Sequence, residues 1–200
     1  MSKKENNPDP LPKKGNTLFT YDTDGENNAC LNFSDDMWQG YVQGYKMGAE
    51  LIVQSLLENN IHIDFLIYPI GFLYRHYLEL QLKNLIKNGN LLLKNSEEFP
   101  LHHDINKLWK ECRPILEAVF QESHSQDFDA VAEYLEQYAQ ADPSSMAFRY
   151  PEGKNGEKSL NRITHINIRN LAEIMNHLSA LLDGADMSIQ VEHYRLNDAQ

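Results

Sequence analysis

The stretch GFLYRHYLELQLKNLIKNGN, residues 71–90, decides the fold. Its apolar residues recur at three- and four-residue steps, which predicts a helix whose greasy arc covers more than half the circumference. Leu73, Tyr77, Leu78, Leu80, Leu82 and Leu85 fall on that arc, as the central helix of a bundle requires. The remaining stripe carries Arg75, His76, Glu79 and Lys83, with Phe72 and Ile86 among them. Arg75, Glu79 and Lys83 lie four residues apart, so each turns about 40° from the last and one carboxylate can bridge two cations. The stripe admits three readings. It is a solvated ladder worth about 0.2–0.5 kcal/mol per pair, a covered face that positions Arg149 or a ligand anion, or a reaction site. The covering element would be the 148–151 segment or a second subunit.

Around this helix the chain reads as helical throughout. Residues 1–33 are rich in Asn, Asp, Pro, Gly and Lys without periodicity, the composition of a flexible arm. A first helix follows Ser34-Asp35-Asp36 and runs to Glu58-Asn59-Asn60. The central helix starts near Asp64, or later if Pro69 opens it instead of kinking it, and Asn88-Gly89-Asn90 reads as its stop. Asp104 caps a third helix, with Ile105, Leu108, Trp109, Cys112 and Leu116 on its inner face, and Pro114 should bend or end it. A fourth begins near Asp127, and Asp142-Pro143 opens a turn or short helix. The last helix runs from about Asn167 to Asp183-Gly184, leaving 185–200 as a tail that adds a turn near Tyr194. The expectation is an all-α, antiparallel bundle of four to five main helices spanning 34–184.

Composition narrows the function. The net charge of −11 argues against coating nucleic acid by positive field. Residues 117–143 hold seven acids and no Lys or Arg, whereas 149–169 hold five basic residues against two acids, so a local anion patch stays open. Cys30 and Cys112 stand far apart and outside any CxxC pair, which predicts reduced thiols, no metal and a cytoplasmic setting. The start has no apolar run of the signal-peptide type, and no apolar run approaches the roughly 20 residues that span a bilayer, so no membrane is expected.

The run Arg75-His76-Tyr77-Leu78-Glu79-Leu80-Gln81-Leu82-Lys83, followed by His103-Asp104-Ile105, resembles the HEPN superfamily. Those helical domains commonly show a Glu-x-x-(apolar)-Lys helix, a linker, and His-Asp-Leu opening the next helix. Glu79 and Lys83 match the first element, His103 and Asp104 the second; the likeness covers about residues 64–116 directly. It implies a helical bundle that often dimerises and often serves bacterial toxin–antitoxin or antiviral defence systems. Many members are metal-independent ribonucleases, using Arg and, four to six residues on, His from a late helix. Here the nearest matches are Arg162 with His165 and Arg169 with His177, and neither has that spacing. Eight residues along a helix separate two groups by about 12 Å, too far for both to reach one phosphate easily. The expectation is therefore a non-catalytic interaction or regulatory member, a homodimer with a possible partner from the same operon. A ribonuclease with a displaced pair is the alternative, and a nucleotide or phosphate binder the second alternative.

Two further stretches bear on the site. His102-His103-Asp104 lacks the third ligand of a metal site, so Asp104 reads as an N-cap and His103 as bonded to a neighbouring helix. Phe148-Arg149-Tyr150-Pro151 is either a plug that packs its aromatics and pairs Arg149 with an acid such as Glu79, or a phosphate clamp in which Arg149 joins Arg75 and Lys83. Arg149, Lys154, Lys158, Arg162 and Arg169 could follow RNA, without the regular aromatic spacing that stacking on bases would use. Phosphate-loop and dinucleotide-binding glycine patterns are absent, so no cofactor is expected.

Overall fold

The computed structural model describes residues 11–59, 62–95, 99–120 and 125–198. Residues 1–10 of the expected arm and 199–200 of the expected tail lie outside the described residues, as does Asn60 at the expected end of the first helix. The chain divides after Asp35 into two units. In the first, described residues 11–35 form turns and bends, one of them closed by Asp22 and Asn28, whose side chain and backbone exchange two hydrogen bonds.

The second unit is the all-α bundle that the periodicity predicts. Its helices are α1 (Trp38–Asn59), α2 (Ile63–Leu92), α3 (Ile105–Phe120), α4 (Ser125–Ala141) and α5 (Ile168–Asp198). Among the described residues the β-structure is a single antiparallel bridge between Glu152 and Lys158. α2 is the hub, packing against α1, α3 and α5, while α4 packs on α3. Burying Tyr74, Tyr77, Leu78, Leu82 and Leu85 almost completely, it supplies the middle of the core.

Capping follows the local chemistry. The Asp36 carboxylate accepts the Trp38 N–H at the start of α1. Asp104 accepts the Lys107 N–H, and Asn167 the Asn170 N–H, so α3 and α5 each start on a side-chain N-cap. α2 begins differently, at His62 in the left-handed conformation with φ 60° and no side-chain cap.

Three points that read as possible helix ends lie inside helices. α2 starts upstream of Pro69 and runs past Gly89 to Leu92. Gly89 is there for packing: a Cβ at that position would strike Ile115 Cγ2, so the glycine lets α3 approach α2 closely. α3 continues beyond Pro114 to Phe120. Pro114 and Lys110, whose carbonyl loses its donor, are both exposed, so the freed carbonyl lies where solvent can reach it. α5 passes through Asp183-Gly184 without interruption and takes in residues 185–198 of the expected tail. Ala185 and Ile189 extend its buried face, and that packing outweighs one glycine's weak helix preference.

Candidate functional site

The ionic stripe of α2 is buried. Arg75 is 0% exposed and Glu79 2%, so the solvated ladder is excluded for these residues. The covering elements are the linker before α3 and the turn after α4, rather than the 148–151 segment alone. Glu79 is the centre. Its Oε2 takes Arg75 Nη1 at 3.3 Å, and its Oε1 takes Lys83 Nζ at 3.1 Å and lies 2.6 Å from His103 Nδ1. Arg75 Nη2 donates to the His103 carbonyl at 2.5 Å, so the arginine ties down the backbone as well as the charge. Lys83 Nζ also sits 5.6 Å from the centre of the Phe99 ring, a cation–π contact from the same linker.

The electrostatics fit a structural knot. Burial pushes the Glu79 carboxyl up, but the hydrogen bonds from His103 and Lys83 and the Lys83 charge outweigh it and hold the carboxyl below its ordinary range. Burial drags the Arg75 guanidinium down while Glu79 and Asp142 oppose that shift. Asp142, itself buried, accepts the Met146 and Ala147 N–H groups and gives Arg75 a second negative charge nearby. The sequence showed it only as the opening of a turn. Buried ions survive only when paired, so each of these charges fixes the others.

The other predicted residues separate from this knot. His76 stacks on Phe72 at 5.7 Å and meets Tyr45 edge-on at 4.3 Å, and burial pushes its imidazole below its ordinary range, keeping it neutral. Arg149 lies over Phe72 at 5.3 Å and over Tyr150 at 5.9 Å, with Nε donating to the Ser145 carbonyl at 2.7 Å. It neither pairs with Glu79 nor joins Arg75 and Lys83. Guanidinium stacking on aromatic faces holds it in the plug instead, while Phe148 is buried against Gly71. Tyr150 is exposed. Asp104 faces its own helix as the cap.

The candidate ribonuclease residues do not converge. Arg162 and His165 are exposed on the segment before α5, with His165 Nδ1 near Thr164 Oγ1, and Arg169 and His177 are exposed on α5. No hydrogen bond or ion pair joins any two of these four described residues. A hollow of about 460 Å³ between α2 and α3 is lined by Ile86, Phe99, His102, Glu111 and Ile115 with two neighbours, and none of Arg75, Glu79, Lys83 or Arg149 lines it. No group of three or more described His, Cys, Asp or Glu is placed to hold a metal ion. Cys112 is buried and Cys30 exposed, both as thiols.

A second polar layer escaped the sequence reading altogether. Where α1, α2 and α5 meet, Asp183 accepts Lys46 Nζ at 2.7 Å and the Tyr77 hydroxyl at 2.8 Å. One turn on, Asp186 accepts side-chain amides from Gln39, Asn88 and Gln190. Burial pushes the Asp186 carboxyl up, and those amides only partly offset it. Asn and Gln carry no pattern by themselves, so only the three-helix packing brings them together.

The class these features define is an all-α bundle built on one central helix and fastened by one buried ionic cluster and one partly buried polar layer. Compared with protein-family models, curated proteins and solved structures, the chain finds no match. Among the described residues, no helix is long and apolar enough to cross a membrane.

Proposed function

We propose that this chain is a HEPN-like, non-catalytic interaction or regulatory module of the bacterial cytoplasm, serving in phage defence or a toxin–antitoxin pair and acting as a homodimer with a protein partner from the same operon. The setting and the system follow from the resemblance of Arg75–Lys83 and His103-Asp104 to that superfamily. The observation that carries the non-catalytic reading is the state of Glu79: its two oxygens are taken up by Arg75, Lys83 and His103. A carboxylate that is 2% exposed and has three of its roughly four acceptor sites taken holds the linker to α2 and offers a substrate proton no open approach. The exposed, separated Arg169 and His177 support the same reading, because general acid–base cleavage of RNA needs both groups at one phosphate.

The test is incubation of the full chain with structured RNA beside Arg169→Ala and His177→Ala variants. The expected result is intact RNA in every lane. Cleavage by the wild type that either substitution abolishes overturns the proposal in favour of a ribonuclease with a displaced pair. The nucleotide-binding alternative loses its clamp when Arg149 is spent on Ser145 and Phe72, so calorimetry with a nucleotide panel is expected to give no heat.

A further inference from the structure

α5 has an apolar inner seam that the bundle uses and, opposite it, an outer line of uncharged residues that the bundle leaves exposed. The inner seam, Met175, Leu178, Leu182, Ala185 and Ile189, is buried. The outer seam is His177, Ala180, Gly184, Met187, Val191 and Tyr194, every one of them exposed, with Met187 at 70% and Tyr194 at 69%. Its steps of three, four, three, four and three residues keep six positions, five of them with side chains, on one line for about 26 Å, the a/d repeat of a two-helix coiled coil. A helix that faces only water needs no such second line.

The sizes along the seam identify the occupant. Ala180 and Gly184 are small and Met187 and Val191 large, so an antiparallel copy laid with its twofold axis between Ala185 and Asp186 matches small with large in the two inner layers and sets ring against ring in the outer one. Ala180 then faces the partner subunit's Val191, and Gly184 faces the partner subunit's Met187. His177 faces the partner subunit's Tyr194, an imidazole against a phenol. Each pair occurs twice by symmetry, as a self-complementary interface requires, and alternating large and small residues is what lets two helices interdigitate. A Cβ at Gly184 would meet nothing within 4 Å, so the notch stands open in the single chain. No two like charges oppose each other inside the seam. The next layer outward would set Glu173 against the partner subunit's Asp198, which ends the apolar contact there. We propose that the chain pairs with a second copy of itself through this outer seam of α5, the two helices antiparallel and the partner subunit's Met187 seated over Gly184. This deepens the homodimer proposed above by naming its surface.

Sedimentation of the full chain over a concentration series, with Met187→Glu and Gly184→Leu, tests the surface. The wild type is expected to reach the dimer mass, and Met187→Glu to weaken pairing at least tenfold. Gly184→Leu is the sharper variant: on the isolated helix it replaces a poor helix former by a good one and raises the melting temperature, yet it fills the notch and breaks the dimer. Orientation comes from a short bismaleimide in a Cys30→Ser background, Cys112 being buried. A mixture of Ala180→Cys and Val191→Cys chains is expected to cross-link, and neither chain alone. A wild type that stays monomeric at every concentration, a dimer indifferent to both substitutions, or cross-linking of either single variant with itself overturns the proposal. The RNA assay separates the two readings. A monomer that leaves RNA intact defeats the seam and the homodimer and keeps the non-catalytic reading, whereas a dimer that cleaves RNA defeats the non-catalytic reading and keeps the seam.

Discussion

Glu79 shows how one side chain can organise a linker. Removing its charge while keeping its shape, as in Glu79→Gln, leaves Arg75 and Lys83 buried, with Asp142 as the anion that remains near Arg75. Breaking a buried ion cluster from one side costs about 3–5 kcal/mol, because the orphaned charges stay desolvated. For a chain of this size that is a fall in melting temperature of roughly 10 °C. The sign of the pH dependence follows from the depressed carboxyl. Its contribution is complete above the ordinary value of 4.5 and is lost as pH falls through the lower native value. Urea titrations of wild type and Glu79→Gln are therefore expected to differ most near pH 7 and to converge in acid. Equal stabilities at pH 7 would show that the linker holds to α2 without the ionic contact. This part of the site was legible in the sequence, because Arg75, Glu79 and Lys83 follow one another at helical spacing. What the spacing could not show was burial, since a solvated ladder and a buried knot share the same register.

At the scale of the element, helix existence was legible and helix ends were less so. The reason is that glycine has two uses on a helix. It stops one when the chain needs a left-handed residue, and it sits inside one when a neighbour must come close. Asn88-Gly89-Asn90 and Asp183-Gly184 read as stops, yet both glycines are interior to helices that run on. The signal that separates the cases lies beyond the glycine: Ala185 and Ile189 continue the inner seam past Gly184. Gly89→Ala tests the packing use directly. Helix propensity alone would favour alanine by about 0.8–1.0 kcal/mol. Against it, the new methyl strikes Ile115 Cγ2, on a β-branched side chain stiff at χ1, and such overpacking costs about 1–3 kcal/mol. The expected outcome by chemical denaturation is a net loss of stability, relieved when Ile115→Ala is added. A Gly89→Ala chain more stable than wild type would return Gly89 to the role of an unforced interior residue.

At the scale of the whole molecule, α2 is held from two sides by polar layers that share no residue. Glu79 faces the linker to α3, and Tyr77, about 160° around the helix, faces α5 through Asp183. The first layer could be found from one helix; the second is spread over three helices with no local spacing, which is why periodicity missed it. Burial and Asp183 both push the Tyr77 phenol far up, so it remains a donor at any ordinary pH. A fully buried hydroxyl bonded to a carboxylate is worth about 1.5–3 kcal/mol. A double-mutant cycle of Tyr77→Phe and Asp183→Ala is therefore expected to give a coupling energy of about 1 kcal/mol or more, in the range found for residues in direct contact. Asp183→Ala paired with Glu79→Gln joins the two layers instead, and with no partner in common their effects are expected to add to within about 0.5 kcal/mol. Additivity here with coupling in the first cycle means that α1 and α5 dock on one side of α2 independently of the linker on the other. A large coupling between Asp183 and Glu79 would instead make α2 a rigid transmitter, so that a partner seated on α5 could loosen the linker that carries His103.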